Sequence, residues 1–258
     1  MSGERSASLR ERAGRAVFAL LGRRRFHKLI GLAQALNAVP RDPVELAAIS
    51  DAVERFHVAS YERGVLNDTY WFGVPIQKSP LDCWTYQEIL FEQKPDLIVE
   101  TGTYLGGSAL FFAHLFDLLG HGRVLTIDLQ LRGRVDHPRV TQLEGDALSP
   151  EILSQVEKAV ADARRVLVVL DDDHSAAHVL RELPVYGRFV TPGSYMVVED
   201  TNVNGHPVFP EHGPGPLEAV REFLATDPSF EIDKSREKFL LTYFPDGWLR
   251  KRRPTSST

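Results

Sequence analysis

The stretch Leu97-Ile98-Val99-Glu100-Thr101-Gly102-Thr103-Tyr104-Leu105-Gly106-Gly107-Ser108 decides how this chain folds. Leu97 to Glu100 reads as a buried strand, the glycines that follow mark a tight turn, and the apolar run Ala109 to Leu119 has the length of a helix. The same alternation continues outward. Val124 to Ile127 is a strand ending in Asp128, Val140 to Leu143 is another, and Pro150 to Ala163 is helical by period. Val166 to Leu170 is a wholly apolar strand that stops at Asp171, Asp172 and Asp173. His178 to Leu183 continues into a helix, and after Gly193 the strand Tyr195 to Val198 ends in Glu199 and Asp200. Strands alternating with helices predict an α/β fold, a mostly parallel sheet covered by helices on both faces. The acids then fall at the carboxyl ends of strands, where open α/β sheets bind their ligands.

Glycines at a strand-to-helix turn allow close approach of backbone to a ligand, and the first turn of the helix offers free N–H groups. Glu100, Gly102, Thr103, Tyr104, Gly106, Gly107 and Ser108 are therefore candidate contacts for a nucleotide-like ligand. The spacing is not G-x-G-x-x-G, which excludes the nicotinamide fingerprint. Asp128 is placed to accept from both hydroxyls of a ribose, and Asp146, after Gly145, to reach the base. The plainer alternative is that the glycines only shape a turn and Asp128 only caps a helix.

Asp171, Glu199 and Asp200 converge on the same sheet edge. Carboxylates packed together repel unless they are protonated or metal-bound, so an oxygen-seeking divalent cation such as Mg²⁺ is expected among them. Asp171 also borders the nucleotide site. Asp173 is an alternative ligand or a helix cap. His174, three residues beyond Asp171, is the candidate general base. Asn202, Asn204 and His206 follow the acidic pair and are candidate substrate contacts, while Tyr70, Trp71, Trp84 and Tyr86 offer an aromatic wall for an acceptor. None of the nine histidines stands in an H-x-[DE] pair, which disfavours a non-haem iron oxygenase.

At 258 residues, 43% hydrophobic and 25% charged, the chain suits one α/β domain with appended segments. A net charge of -5 gives no overall attraction to nucleic acid or to an anionic membrane. Cys83 is the sole cysteine, so no intrachain disulfide forms, in keeping with a cytoplasmic setting. The apolar run Ala16 to Leu21 is too short to span a bilayer and is flanked by arginines. Up to Arg41 there are nine Lys or Arg against two Glu, which predicts a basic amphipathic helical arm over residues 1–54. Such an arm packs on its own domain or on a sister subunit, with contact to a membrane surface or nucleic acid as the alternative, and a homo-oligomer is expected. Residues 248–258, with four consecutive cations and a Ser/Thr ending, are expected to be a disordered tail.

Three further stretches carry a family resemblance: Leu170-Asp171-Asp172-Asp173-His174-Ser175, the run from Gly193 to Val208 with Glu199-Asp200-Thr201-Asn202, and Gly213-Pro214-Gly215-Pro216. With Thr69 to Val74, Trp84 to Ile89 and the glycine turn, they resemble the cephalosporin hydroxylase / rhamnosyl O-methyltransferase family over residues 55–247. The resemblance implies a Rossmann-like methyltransferase domain that binds S-adenosylmethionine, with a divalent metal held by Asp171, Glu199 and Asp200 and a catalytic histidine at His174. It implies O-methylation of a deoxysugar hydroxyl on a small glycosylated or sugar-nucleotide acceptor. A non-sugar acceptor such as a catechol or an antibiotic nucleus is the alternative, and a non-catalytic binding protein on the same fold is a third reading. The family often carries a small polar residue where this chain has Asp172, so the resemblance leaves the first metal ligand open among Asp171, Asp172 and Asp173.

Overall fold

In the computed structural model, which describes residues 43–254, helix α1 (Pro43–Glu62) leads to a short hairpin of β1 (Tyr70–Trp71) and β2 (Val74–Pro75). Phe72 and Gly73 at its tip take φ of 49° and 85°, the two-residue turn whose twist matches its strands. Helix α2 (Pro80–Gln93) follows; Ser79 caps it by accepting from the Leu81 N–H at 3.3 Å. Pro80 occupies the first turn, where its missing N–H costs nothing. The core then runs β3 (Leu97–Thr101), α3 (Gly107–Leu119), β4 (Arg123–Asp128), β5 (Val140–Glu144), α4 (Pro150–Ala161), β6 (Val166–Leu170), α5 (Ala176–Gly187), β7 (Tyr195–Val198), α6 (Pro216–Thr226), β8 (Phe230–Ile232) and β9 (Trp248–Lys251).

Seven strands form one sheet in the order β5-β4-β3-β6-β7-β9-β8. The first five are parallel, and β9 runs antiparallel to both its neighbours. The chain winds outward from β3 through β4 to β5 and then returns to the other side of β3, so the order reverses between β3 and β6. A crevice forms at such a switch point. Side chains alternate between the two faces. Along β6, Val166, Val168 and Leu170 join a core with α4, α5 and α6, whereas Leu167 and Val169 join one with α2 and α3. With both faces covered, all five β6 residues are buried.

Two expected boundaries move. Residues 248–251 are no tail: Trp248 and Leu249 are 0% exposed and pair with Val197 and Met196. Two apolar residues carry the strand into the sheet, while the cations behind them lie along it, Lys251 Nζ donating to Gly187 O at 2.8 Å. Helix α1 passes unbroken through the expected limit at residue 54, and the second of two compact units begins at Ala52. Residues 1–42, which hold most of the expected arm, and 255–258 lie outside the described residues. No described helix is long and apolar enough to cross a membrane.

Candidate active site

The parallel register brings four strand ends level. Gly102 N donates to Ile127 O at 2.8 Å, Asp171 N to Thr101 O at 3.0 Å and Glu199 N to Leu170 O at 3.0 Å. A cleft of about 560 Å³ opens along this edge. Gly102, at φ 90°, lets β3 and β6 meet there, since a Cβ would stand 1.9 Å from Asp171 O. At Gly107 a Cβ would stand 2.1 Å from Pro75 O. Its absence seats the end of β2 against the start of α3 and delivers Ile76, Gln77 and Lys78 to the cleft.

The glycine turn occupies one end. Tyr104, at φ 46°, donates its N–H to Asp128 Oδ2 at 2.7 Å, and Gln130 N donates to Asp128 Oδ1 at 3.1 Å. A carboxylate has about four acceptor positions, so both oxygens keep capacity for a ligand. Gly102, Thr103, Tyr104, Gly107, Ser108, Asp128 and Asp146 all line the cleft. Two expected contacts do not. Glu100 is 0% exposed within β3 and accepts from Thr126 Oγ1 at 2.6 Å; burial pushes its carboxyl up to about 7 against the pull of Lys78. Gly106 shapes the turn at φ 85° and caps α3. Both hold the turn from behind.

At the other end, Asp171, His174 and Asp200 bring one donor atom each to within 4.8 Å of the others. His174 Nε2 lies 3.3 Å from Asp200 Oδ2 and 3.6 Å from Asp171 Oδ1, and it is buried without a hydrogen bond to any described residue. Burial works to lower its pKa, but the charges of Asp200 and Asp171 outweigh burial and raise it to about 10. Burial likewise pushes Asp171 up, yet Lys78 and His174 hold it below the ordinary carboxylate value. Asp200 takes a left-handed φ of 52°, a conformation aspartate tolerates better than most residues.

Glu199 does not join this cluster. Its Oε1 accepts from Tyr86 Oη at 2.6 Å and its Oε2 from Lys78 Nζ at 2.5 Å, although the residue lines the cleft and each oxygen keeps a further acceptor position. Burial and the neighbouring Asp171 push its carboxyl well above the usual range, against Lys78. Asp173 is a turn residue: Oδ1 accepts from Ser175 N at 2.8 Å. The expected substrate residues also part from the cleft. Asn202 is 0% exposed and bonded to His57 Nε2 at 2.9 Å, while Asn204 and His206 both bond Glu218 Oε1, at 3.2 and 2.7 Å. Glu218 anchors the start of α6 by accepting from Gly215 N, and the loop after β7 is drawn to it rather than to the acids. Trp71 bonds His114 at 3.0 Å and packs edge-on against Phe111, Tyr70 is 57% exposed, and neither lines the cleft. Trp84 bonds Glu88 on the surface of α2.

Other residues take part that the sequence reading passed over. Lys78 joins Asp171 and Glu199, at 2.9 and 2.5 Å, with only 2% of its side chain exposed. Tyr243 and Phe244, ahead of β9, give the cleft an aromatic wall, and Arg132 and Arg181 add cations. A second cluster, Asp172, His178 and Glu182, borders the first. The Glu182 carboxylate, 3.7 Å from the ring, leads the influences raising His178 to about 9, and burial raises Glu182 to about 7.

A doubly wound sheet that sets a glycine turn, an aspartate after the next strand and an acid–histidine cluster along one carboxyl edge defines a Rossmann-like domain of the methyltransferase kind. Residues 63–252 match the family model Rhamnosyl O-methyltransferase/CmcI, and the chain belongs to that family. The match runs through β9, in keeping with its place in the sheet. The chain is 37% identical over 206 residues to the Rhamnosyl O-methyltransferase of Mycobacterium leprae (strain TN), covering 77% of this chain and 90% of that protein. It is 40% identical over 210 residues to the protein of the same name from Mycobacterium bovis BCG, covering 78% and 85%. Among solved structures, apo CmcI superposes with a TM-score of 0.58 at 20% identity, covering 72% of this chain and 77% of that one. A CmcI structure with Mg and SAM gives 0.56 at 22% identity, covering 72% and 78%. These likenesses establish the fold.

Proposed function

We propose that this chain is an S-adenosylmethionine- and divalent-cation-dependent O-methyltransferase that methylates a hydroxyl of a rhamnose-like deoxysugar on a small molecule. One observation carries the reading: the glycine turn with Asp128 and the cluster Asp171, His174 and Asp200 share a single cleft. The kinship supports it, since rhamnosyl O-methyltransferases are 37–40% identical to the chain across at least 85% of their length.

The chemistry follows from where charge must move. The sulfonium of the cofactor supplies a methyl that is already activated, so the chain's task is alignment and exclusion of water. Backbone N–H groups of the turn and Asp128 bind the adenosine half, with Asp146 at the base. Asp171 and Asp200 would hold a divalent cation, which when bound lowers the pKa of an acceptor hydroxyl and orients it. The donor set fits: two carboxylates converge beside a buried imidazole nitrogen that has no hydrogen bond to the described residues. A hard cation prefers oxygen, which leaves His174 Nε2 to accept the proton of the sugar hydroxyl. With both carboxylates engaged by a cation, the charges of Asp200 and Asp171 would raise His174 less, and burial, the largest single influence on it, would draw the ring toward neutrality. Tyr243 and Phe244 take the role of acceptor wall.

Mass spectrometry of rhamnosides, other deoxysugar conjugates and catechols incubated with the cofactor tests the reading. The expected result is a rhamnoside heavier by one methylene in Mg²⁺ and unchanged in chelator. Methylation of catechols alone would overturn the sugar acceptor, and no product from any compound would overturn the enzyme.

A further inference from the structure

We infer that Asp172, His178 and Glu182 form a second divalent-metal site, of the zinc or manganese class, next to the first cluster and open to the same cleft. His178 and Glu182 stand four residues apart on α5 and so share a helix face. Asp172 reaches that face from the end of β6. His178 Nε2 is 3.2 Å from Asp172 Oδ2 and 3.7 Å from Glu182 Oε2, and the three donor atoms lie within 4.8 Å of one another. Bonds of about 2.0–2.2 Å meeting at right to tetrahedral angles need donors roughly 3.0–3.5 Å apart, close to the two separations measured from His178 Nε2.

The decisive residue is Glu182. It is 0% exposed, and neither carboxylate oxygen accepts a hydrogen bond from any described residue. A buried carboxylate without donors is costly, and buried charges are normally paired or bound to metal. The other two residues are set to complete its coordination. Asp172 Oδ1 accepts from Asp173 N at 2.6 Å, which fixes the carboxylate with Oδ2 toward His178. The Asp172 and His178 side chains are 22% and 20% exposed and line the cleft, so coordination positions are left for water or a ligand oxygen. One imidazole and two carboxylates suit Zn²⁺ or Mn²⁺, whereas Mg²⁺ favours oxygen alone. Binding at this site does not depend on methyl transfer, so its failure and that of the proposed activity are read separately.

The test is calorimetric titration of the chelator-stripped full chain with Zn²⁺ in saturating Mg²⁺. One tight equivalent is expected, weakened at least about 100-fold in Glu182→Gln and in His178→Gln, and retained in Asp200→Asn. An absent equivalent, or one unchanged in either of the first two variants, overturns the site. A variant that does not fold is replaced by a measurement on the native chain. There Co²⁺ in the same Mg²⁺ background should give a visible absorption band of a nitrogen-ligated, low-coordinate ion, and the lack of that band overturns the proposal.

Discussion

Lys78 Nζ stands 2.5 Å from Glu199 Oε2, with 2% and 3% of the two side chains exposed. The lysine comes one residue before the Ser79 cap of α2, where a helix dipole disfavours a cation. Its partners account for it: the ammonium also meets Asp171 at 2.9 Å and so fastens the β1–β2 segment to the ends of β6 and β7. The glycine turn, the hairpin and the acids are thereby held as one piece.

Lys78→Met should therefore destabilise the fold. Removing one partner of a buried ion pair costs about 3–5 kcal/mol, because the charge left behind has no compensation. Urea unfolding in chelator should show a loss of that size, and a divalent cation should restore part of it by standing in beside Asp171. A loss below about 1 kcal/mol, the worth of a surface pair, would mean that Glu199 and Asp171 do not depend on the lysine.

Asp128 ties the glycine turn to β4 through the Tyr104 N–H and is proposed to receive the ribose. Calorimetry with S-adenosylhomocysteine should show Asp128→Ala losing about 1.5–3 kcal/mol of binding, the range for hydrogen bonds to a charged group. NADH should not compete with it. Unaltered affinity in the variant would remove Asp128 from the cofactor site.

The parallel strands were legible because each is an apolar run with a polar stop; Val166–Leu170 and Tyr195–Val198 have the bounds that their composition announces. Strand β9 was hidden because Arg250 and Lys251 make half of it look like a solvated tail, and only Trp248 and Leu249 betray burial. Within the site, acids at strand ends follow from topology, so Asp171, Asp200 and Asp128 could be placed. Glu199 could not, since its role turns on Lys78, 121 residues away in sequence. The signal available was the lysine at a helix start, an electrostatic misfit that only a nearby anion resolves. His206 was misplaced because proximity in sequence to the acids was read as proximity in space, and its actual partner is on α6.

His206 supplies a check on that correction. It is paired with Glu218, with 27% and 30% of the side chains exposed, and stands outside the cleft. His206→Ala should cost at most about 1 kcal/mol of stability, as partly exposed pairs do, and should leave turnover within about twofold of native, far short of a general-base loss. A fall in turnover of 100-fold or more, which is about the lower bound for general-base loss, would return His206 to the site.

Stability of the cation-free protein should depend on His174 in a defined direction. Its pKa is raised in the fold from 6.5 to about 10, so the folded state binds the proton more tightly. That contribution is complete below 6.5 and is lost as pH rises toward about 10. Urea midpoints of native protein and His174→Gln in chelator should therefore differ most at mildly acidic pH and converge at alkaline pH. A gap independent of pH would show that the ring carries no charge in the cluster.

With cation present, the same residue should behave in the opposite sense. A base must be neutral to take a proton, so at saturating rhamnoside, cofactor and Mg²⁺ the turnover should rise with pH and then level off. The apparent pKa of that rise should lie below the value of about 10 held in the cation-free cluster, because Asp171 and Asp200 are then committed elsewhere. His174→Ala should abolish the rise and lower turnover by about 10²–10⁴-fold, the usual contribution of a general base. Cofactor affinity should be unchanged, since the glycine turn and Asp128 do not touch the ring. Mn²⁺ affinity separates the two uses of the nitrogen: a base can be lost with little effect on it, whereas the loss of a ligand weakens metal binding as far as it slows turnover. A native pH profile with less than about threefold loss would end the base assignment.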